Sequence, residues 1–255
     1  MRDEPNLWQR QRLPTRFAVL PRDTHTPLAK GVTIAAGSGA VISGRVVIKG
    51  KIAGMKAAPS PRLARVWVRR DLESGGSPVV VQRSAATIAE DGTFRIENVP
   101  EGPMRFEAAM TTDAYYLEAV RQNGRDLTDE ALDVGRGVRM DDVEVVIAVN
   151  ASQVSGRVVM TPGMARPEVV VFPAGMETPR GRERLTRVGQ VNESGQFTIR
   201  GLAPGEYRVA AVRGAREGIV GDAKFQAALQ PAAKRVKLGA GKGGVGVLEA
   251  VDAPR

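Results

Sequence analysis

Apolar and polar residues alternate with a period of two along much of the chain. Phe94 and Ile96 alternate with Thr93 and Arg95, and Met104, Phe106 and Ala108 alternate with Arg105 and Glu107. Tyr207, Val209 and Ala211 form a third stripe with Arg208 and Ala210 between them, and Val143, Val145, Ile147 and Val149 form a fourth. Such alternation predicts half-buried strands with one face on a core. The breaks between stripes are rich in Gly and Pro. "EDGTF" and "ESGQF" each place a Gly just before an aromatic strand start, and "VPEG" and "LAPG" predict the next reversals. Short strands at this spacing, with no long helical period, predict an all-β chain built from β-sandwiches.

The stripes recur. "DGTFRIENVPEGPMRFEAA" from Asp91 reappears as "SGQFTIRGLAPGEYRVAA" from Ser194 at a constant offset of 103 residues. Gly92 falls on Gly195, Phe94 on Phe197, Ile96 on Ile199, Gly102 on Gly205 and Phe106 on Val209. Upstream, "ISGRVV" (Ile42–Val47) recurs as "VSGRVV" (Val154–Val159) at an offset of 112, so the first copy holds nine extra residues between its motifs. The expected organisation is an N-terminal segment over 1–39, a first sandwich over 40–150 and a second over 151–255. Phe94 and Phe197, each beside a Gly turn, are the expected core anchors. The connection "NASQ" (Asn150–Gln153) is short enough to limit the angle between the two units.

Composition narrows the chemistry. The 255 residues contain no Cys and a single His, His25, which excludes disulfides, a Cys nucleophile and multi-histidine metal sites. No run approaches the roughly 20 apolar residues of a membrane-spanning helix, and the first residues do not read as a signal peptide. The net charge is +9, and 28 acids are interleaved with 37 basic residues. Two basic clusters stand out, "RLARVWVRR" (Arg62–Arg70) and "RGRERLTR" (Arg180–Arg187). They read as solvated strand faces and loops in preference to a groove for a polyanion.

The paired motifs resemble the carboxypeptidase regulatory-like domain, a transthyretin-like (prealbumin-like) β-sandwich. The second copy carries the pattern through Gly156, Val158, Gly195, Phe197, Ile199, Leu202, Pro204, Gly205, Tyr207 and Val209. The first carries it through Gly44, Val46, Asp91, Gly92, Phe94, Ile96, Val99 and Gly102, and departs at "EGPM", where Met104 stands in place of the Tyr. The resemblance covers most of residues 40–255. It implies tandem Ig-like or prealbumin-like sandwiches of a carbohydrate-binding-like fold, in an extracytoplasmic protein without enzymatic activity. It also implies that residues 16–40 are the tail of a preceding repeat.

"LGAGKGGVGV" (Leu238–Val247) invites a phosphate-loop reading. Lys242 comes too early, however, and Val247-Leu248 stand where a Lys-Ser/Thr pair belongs. The segment reads as a glycine-rich hairpin or connection, with no nucleotide. The acids Asp126, Asp129, Glu130, Asp133, Asp141, Asp142 and Glu144 lack a calcium-loop pattern and lie among arginines, so they read as surface charge pairs. Trp67 is the residue with the most to offer. Ala64, Val66 and Val68 share one face of "ARVWVRR", which leaves Trp67 on the other with Arg65 and Arg69. That arrangement suits either stacking on a sugar ring or a contact between repeats. Its counterpart in the second copy is Val170. No catalytic residue, cofactor or metal is expected. The leading expectation is a structural spacer or binding module that contacts a glycan or other envelope proteins, with Trp67, Arg65 and Arg69 as the contact patch. The alternative is polyanion or nucleic-acid binding through the basic surface.

Overall fold

A computed structural model describes residues 39–51, 59–71, 83–161, 163, 165–175, 178–215 and 218–254. His25, and residues 16–38 of the expected preceding-repeat tail, lie outside the described residues.

The period-two segments form strands. The first set comprises β1 (Ala40–Lys49), β2 (Ala64–Arg70), β3 (Arg83–Ala85), β4 (Thr87–Ile88), β5 (Thr93–Val99), β6 (Gly102–Met110), β7 (Tyr115–Gln122), β8 (Arg125–Asp126), β9 (Leu132–Val134) and β10 (Arg139–Val149). They make one sheet ordered β4-β5-β1-β10-β7-β8 and another ordered β3-β2-β6-β9. Ile42, Val46 and Phe94 from the first sheet pack with Val66, Val68 and Phe106 from the second in one core, so the two sheets form a sandwich.

The second set begins with β11 (Ser152–Val158), β12 (Glu168–Pro173), β13 (Arg187–Gln190) and β14 (Gln196–Leu202). It continues with β15 (Gly205–Arg213), β16 (Lys234–Leu238), β17 (Lys242–Leu248) and β18 (Ala250–Asp252). Its sheets are ordered β14-β11-β17 and β13-β12-β15-β16, with β18 parallel to the end of β15. Val154, Phe197, Tyr207 and Val209 fill the space between them. Two seven-residue helices interrupt this half, α1 (Pro179–Leu185) and α2 (Ala223–Leu229). The chain is all-β in class, two sandwiches in tandem.

The repeated motifs have a shared physical cause. In "SGRVV", Gly44 and Gly156 lie at register shifts where β1 and β11 run parallel to β10 and β17. A Cβ on Gly44 would occupy the space of the Val143 carbonyl, and one on Gly156 would meet the Gly246 carbonyl and the Phe197 ring. Phe94 and Phe197 are both buried, as the pattern predicts. Where the first copy departs at "EGPM", Met104 is as deeply buried as Tyr207. Tyr207 additionally donates its hydroxyl to the Ala203 carbonyl at 2.9 Å.

Two local expectations change, and a third is decided between its alternatives. "VPEG" and "LAPG" do not reverse the chain within a sheet; they carry it across the sandwich, from β5 to β6 and from β14 to β15. Of the two readings of the glycine-rich segment, the connection is the one that forms: it is a crossover, because β16 and β17 belong to different sheets. The β10 stripe alternates only as far as Val145; Val146 to Val149 are buried on both faces. The two copies also diverge after their sixth and fifteenth strands. The first inserts the β7–β8 hairpin there, and the second inserts α2.

Candidate functional site

The outer face of the β2–β6 pair is polar because the inward positions take the apolar residues. Val66 and Val68 are buried in the core, which turns Arg65, Trp67 and Arg69 outward. Across the ladder Trp67 opposes Glu107 and Arg69 opposes Arg105. The Trp67 Nε1 donates to Glu107 Oε2 at 2.6 Å, and the other carboxylate oxygen of Glu107 accepts from Arg69.

This face meets the second sandwich. Thr178 caps α1 by accepting from the Gly181 N–H, Pro179 starts the helix, and the turn projects Arg180, Glu183 and Arg184 toward the first sandwich. Arg69 and Arg105 both donate to Glu183 Oε1, at 2.9 and 2.7 Å. Arg180 donates to the buried carboxylate of Asp71 at 2.7 Å. Arg184 grips Asp129 with two bonds of 2.7 and 2.9 Å, a bidentate arrangement that fixes orientation as well as charge. The side chains of Arg69 and Arg105 are only 17% and 12% exposed. The arginines of these clusters that face the joint are therefore not solvated: Arg69, Arg180 and Arg184 are paired there with acids that sequence distance conceals, while Arg62 and Arg65 stay exposed.

Beside α1 lies a cleft of about 470 Å³, within the roughly 300–1,000 Å³ typical of small-ligand sites. Trp67, Tyr115 and Tyr116 line it together with Arg69, Arg187 and Arg200. Burial pushes the phenols of Tyr115 and Tyr116 above their ordinary range. Burial also pulls the Arg187 guanidinium below its ordinary value. The Nε of Arg105 is buried and has no acceptor among the described residues. Of the three residues expected to form a contact patch, Trp67 and Arg69 share the cleft. Arg65 does not line it; it stays exposed opposite Ala109.

The acids expected as surface charge pairs are indeed largely paired. Glu130 takes Arg125, Asp141 takes Arg139 and Glu144 takes Arg121, while Asp129 is committed to the joint. Among the described residues no group of three or more His, Cys, Asp or Glu is placed to hold a metal, and no helix is long and apolar enough to cross a membrane. Sequence reasoning missed Arg105, Glu107 and Glu183 as members of this constellation. The available signal was Thr178-Pro179, a cap followed by Pro at the first helical position.

No protein-family profile and no curated protein matches the chain. Among solved structures, the minor pilin of Streptococcus agalactiae is similar at 13% identity and a TM-score of 0.31, over 85% of this chain and 98% of that one. The shaft pilin SpaA of Lactobacillus rhamnosus GG gives 10% and 0.26, over 86% and 98%. The Bacillus anthracis TIE protein gives 12% and 0.25, over 84% of this chain and 34% of that one; the chain thus spans about a third of its length. At such scores these similarities assign neither relationship nor role.

Proposed function

We propose that the chain is a non-enzymatic structural module of an extracytoplasmic protein, in which sandwiches over residues 40–150 and 151–255 act as one stiff spacer. One observation carries this reading. The second sandwich delivers Arg180, Glu183 and Arg184 into ion pairs with the first, across a connection of only Asn150 and Ala151. That connection is itself tied back. The Asn150 side-chain amide donates to the Lys51 carbonyl at 3.2 Å, and the Ala151 N–H donates to the Ala114 carbonyl at 3.0 Å. Sandwiches joined this way resist bending, because any rotation must break several charge-assisted bonds at once. The extracytoplasmic placement rests on the resemblance of the repeated motifs to carboxypeptidase regulatory-like domains. Arg69, Arg180 and Arg184 of the basic clusters are spent on acids at the joint, which favours a spacer over a polyanion binder.

Small-angle scattering tests the reading. Half-buried pairs are screened far less than exposed ones, so the expected radius of gyration is unchanged between about 0.05 and 0.5 M salt. A radius that grows with salt, with the profile of two hinged bodies, would contradict it.

A further inference from the structure

Six arginines and five acids line the cleft at the joint, and their pairing is uneven. Glu107 is held by Arg69, Glu183 by Arg69 and Arg105, Asp129 by Arg184 and Glu130 by Arg125. Two arginines have no carboxylate partner among the described residues. Arg187 donates its Nη1 to the carbonyls of Arg184 and Thr186, at 2.6 and 2.9 Å, and to no acid. Arg200, exposed on β14, lines the same cleft, and its side chain makes no hydrogen bond or ion pair to any described residue. Tyr115 and Tyr116 line the same cleft as these two arginines. Aromatic side chains and two cations without a carboxylate partner among the described residues therefore border one cleft. Thr112 and Asp113 line it as well and supply partners for hydroxyl groups.

We propose that this cleft binds a carboxylate-bearing sugar, a hexuronate unit. Its carboxylate is drawn to Arg187 and Arg200, its ring lies against the aromatic side chains, and its hydroxyls meet Thr112 and Asp113. The chemistry selects both halves of such a ligand. A half-buried guanidinium without a counter-ion favours an anion that forms charge-assisted bonds. Aromatic faces beside polar groups suit a ring with one apolar and one hydroxylated side, where a plain carboxylate leaves the hydroxyl partners unused. The proposal rests on the locked joint, since the cleft exists only while the sandwiches stay together.

The test is titration calorimetry on the full chain with methyl glucuronide, methyl glucoside and benzoate, each to about 10 mM, a concentration that detects millimolar affinity. The glucuronide is expected to bind, and the other two to bind at least about tenfold more weakly, the loss of one charge-assisted bond. Arg200→Gln is expected to weaken glucuronide binding by about tenfold or more with an unchanged melting temperature, because Arg200 is exposed and unpaired among the described residues. Lys242→Gln, outside the cleft, is expected to change nothing and so separates a site from diffuse charge. Equal binding of glucuronide and glucoside, equal binding of benzoate, indifference to Arg200→Gln, or no binding at all would overturn the proposal. Absent binding with a compact scattering profile rejects the ligand alone; a hinged profile rejects the joint as well.

Discussion

The outer faces of the two β-pairs at the centre of this molecule are equivalent by sequence and opposite in chemistry. On β2 and β6 they carry Trp67, Arg69, Arg105 and Glu107; on β12 and β15 the matching positions carry Val170, Phe172, Arg208 and Ala210. The apolar face is covered from within. α2 lays Phe225 and Leu229 over Val170, Phe172 and Val212 in a small core of its own. The polar face is covered from outside, by α1 of the neighbouring sandwich and its ion pairs. One repeated sheet thus serves as a closed layer in one copy and as a docking surface in the other. The inward residues, which decide the fold, are interchangeable between copies; the outward residues decide the assembly.

Substitutions should separate the two kinds of cover. Phe172 is almost fully buried under α2, so Phe172→Ala is expected to cost about 3–5 kcal/mol in denaturant unfolding. Its counterpart Arg69→Ala is expected to cost about 1–2 kcal/mol, the loss of hydrogen bonds between charged groups. Equal costs would mean that the two faces are covered alike.

Arg180→Ala strands the Asp71 carboxylate, which is 7% exposed. The expected loss is about 1–3 kcal/mol, the range for an abandoned buried polar group. Because Asp71 belongs to the first sandwich and Arg180 to the second, Asp71→Asn in the same chain should recover part of that loss. Strict additivity in the double-mutant cycle would show that the pair contributes nothing.

Acid should discriminate the copies most gently. Hydrogen bonds from Thr93 hold the Asp91 carboxyl below its ordinary value of 3.8, and bonds from Thr128 do the same for Asp126. A bond from Ser43, with Arg139 nearby, lowers Asp141. In the second copy the corresponding hairpin is held by Asn192, which accepts from Ser194 and Gln196 and does not titrate; among its described residues the one lowered carboxyl is Asp252, beside Arg213. A depressed carboxyl stabilises the fold fully above the unfolded value, and that contribution fades as pH falls through the folded value. Hydrogen exchange between pH 5 and 2.5 is therefore expected to show the first sandwich loosening ahead of the second. Simultaneous loosening would refute this.

Much of the sandwich was legible because burial leaves a period-two trace. Phe94, Ile96, Phe197 and Ile199 announce core strands, and the repeat announces two copies. The outward position of Trp67 followed from the same alternation. Its cover did not, because the groups that meet it lie far along the chain: Glu107 is 40 residues from Trp67 and Glu183 is 114 from Arg69. A charge pattern shows what a strand presents and is silent on what it faces. Arg65, expected beside Trp67, shows the complementary failure, since sharing a strand face did not bring it into the cleft. The helices were missed for another reason. α1 and α2 each complete only two turns, too few for a helical period to stand out, and the local signals are their caps, Thr178 and Asp222, with Pro179 after the first.

The stiffness of the joint is the claim on which the rest depends, and the absence of cysteine offers a direct probe of it. Glu97→Cys and Lys237→Cys place single exposed thiols on the first and second sandwich, in a chain with no other. Spin labels at both positions report the distance between them by pulsed dipolar spectroscopy. A locked joint predicts one narrow distance distribution, broadened when Arg184→Ala releases Asp129. A broad distribution in the parent chain, unchanged by Arg184→Ala, would show two sandwiches swinging freely and would contradict the account.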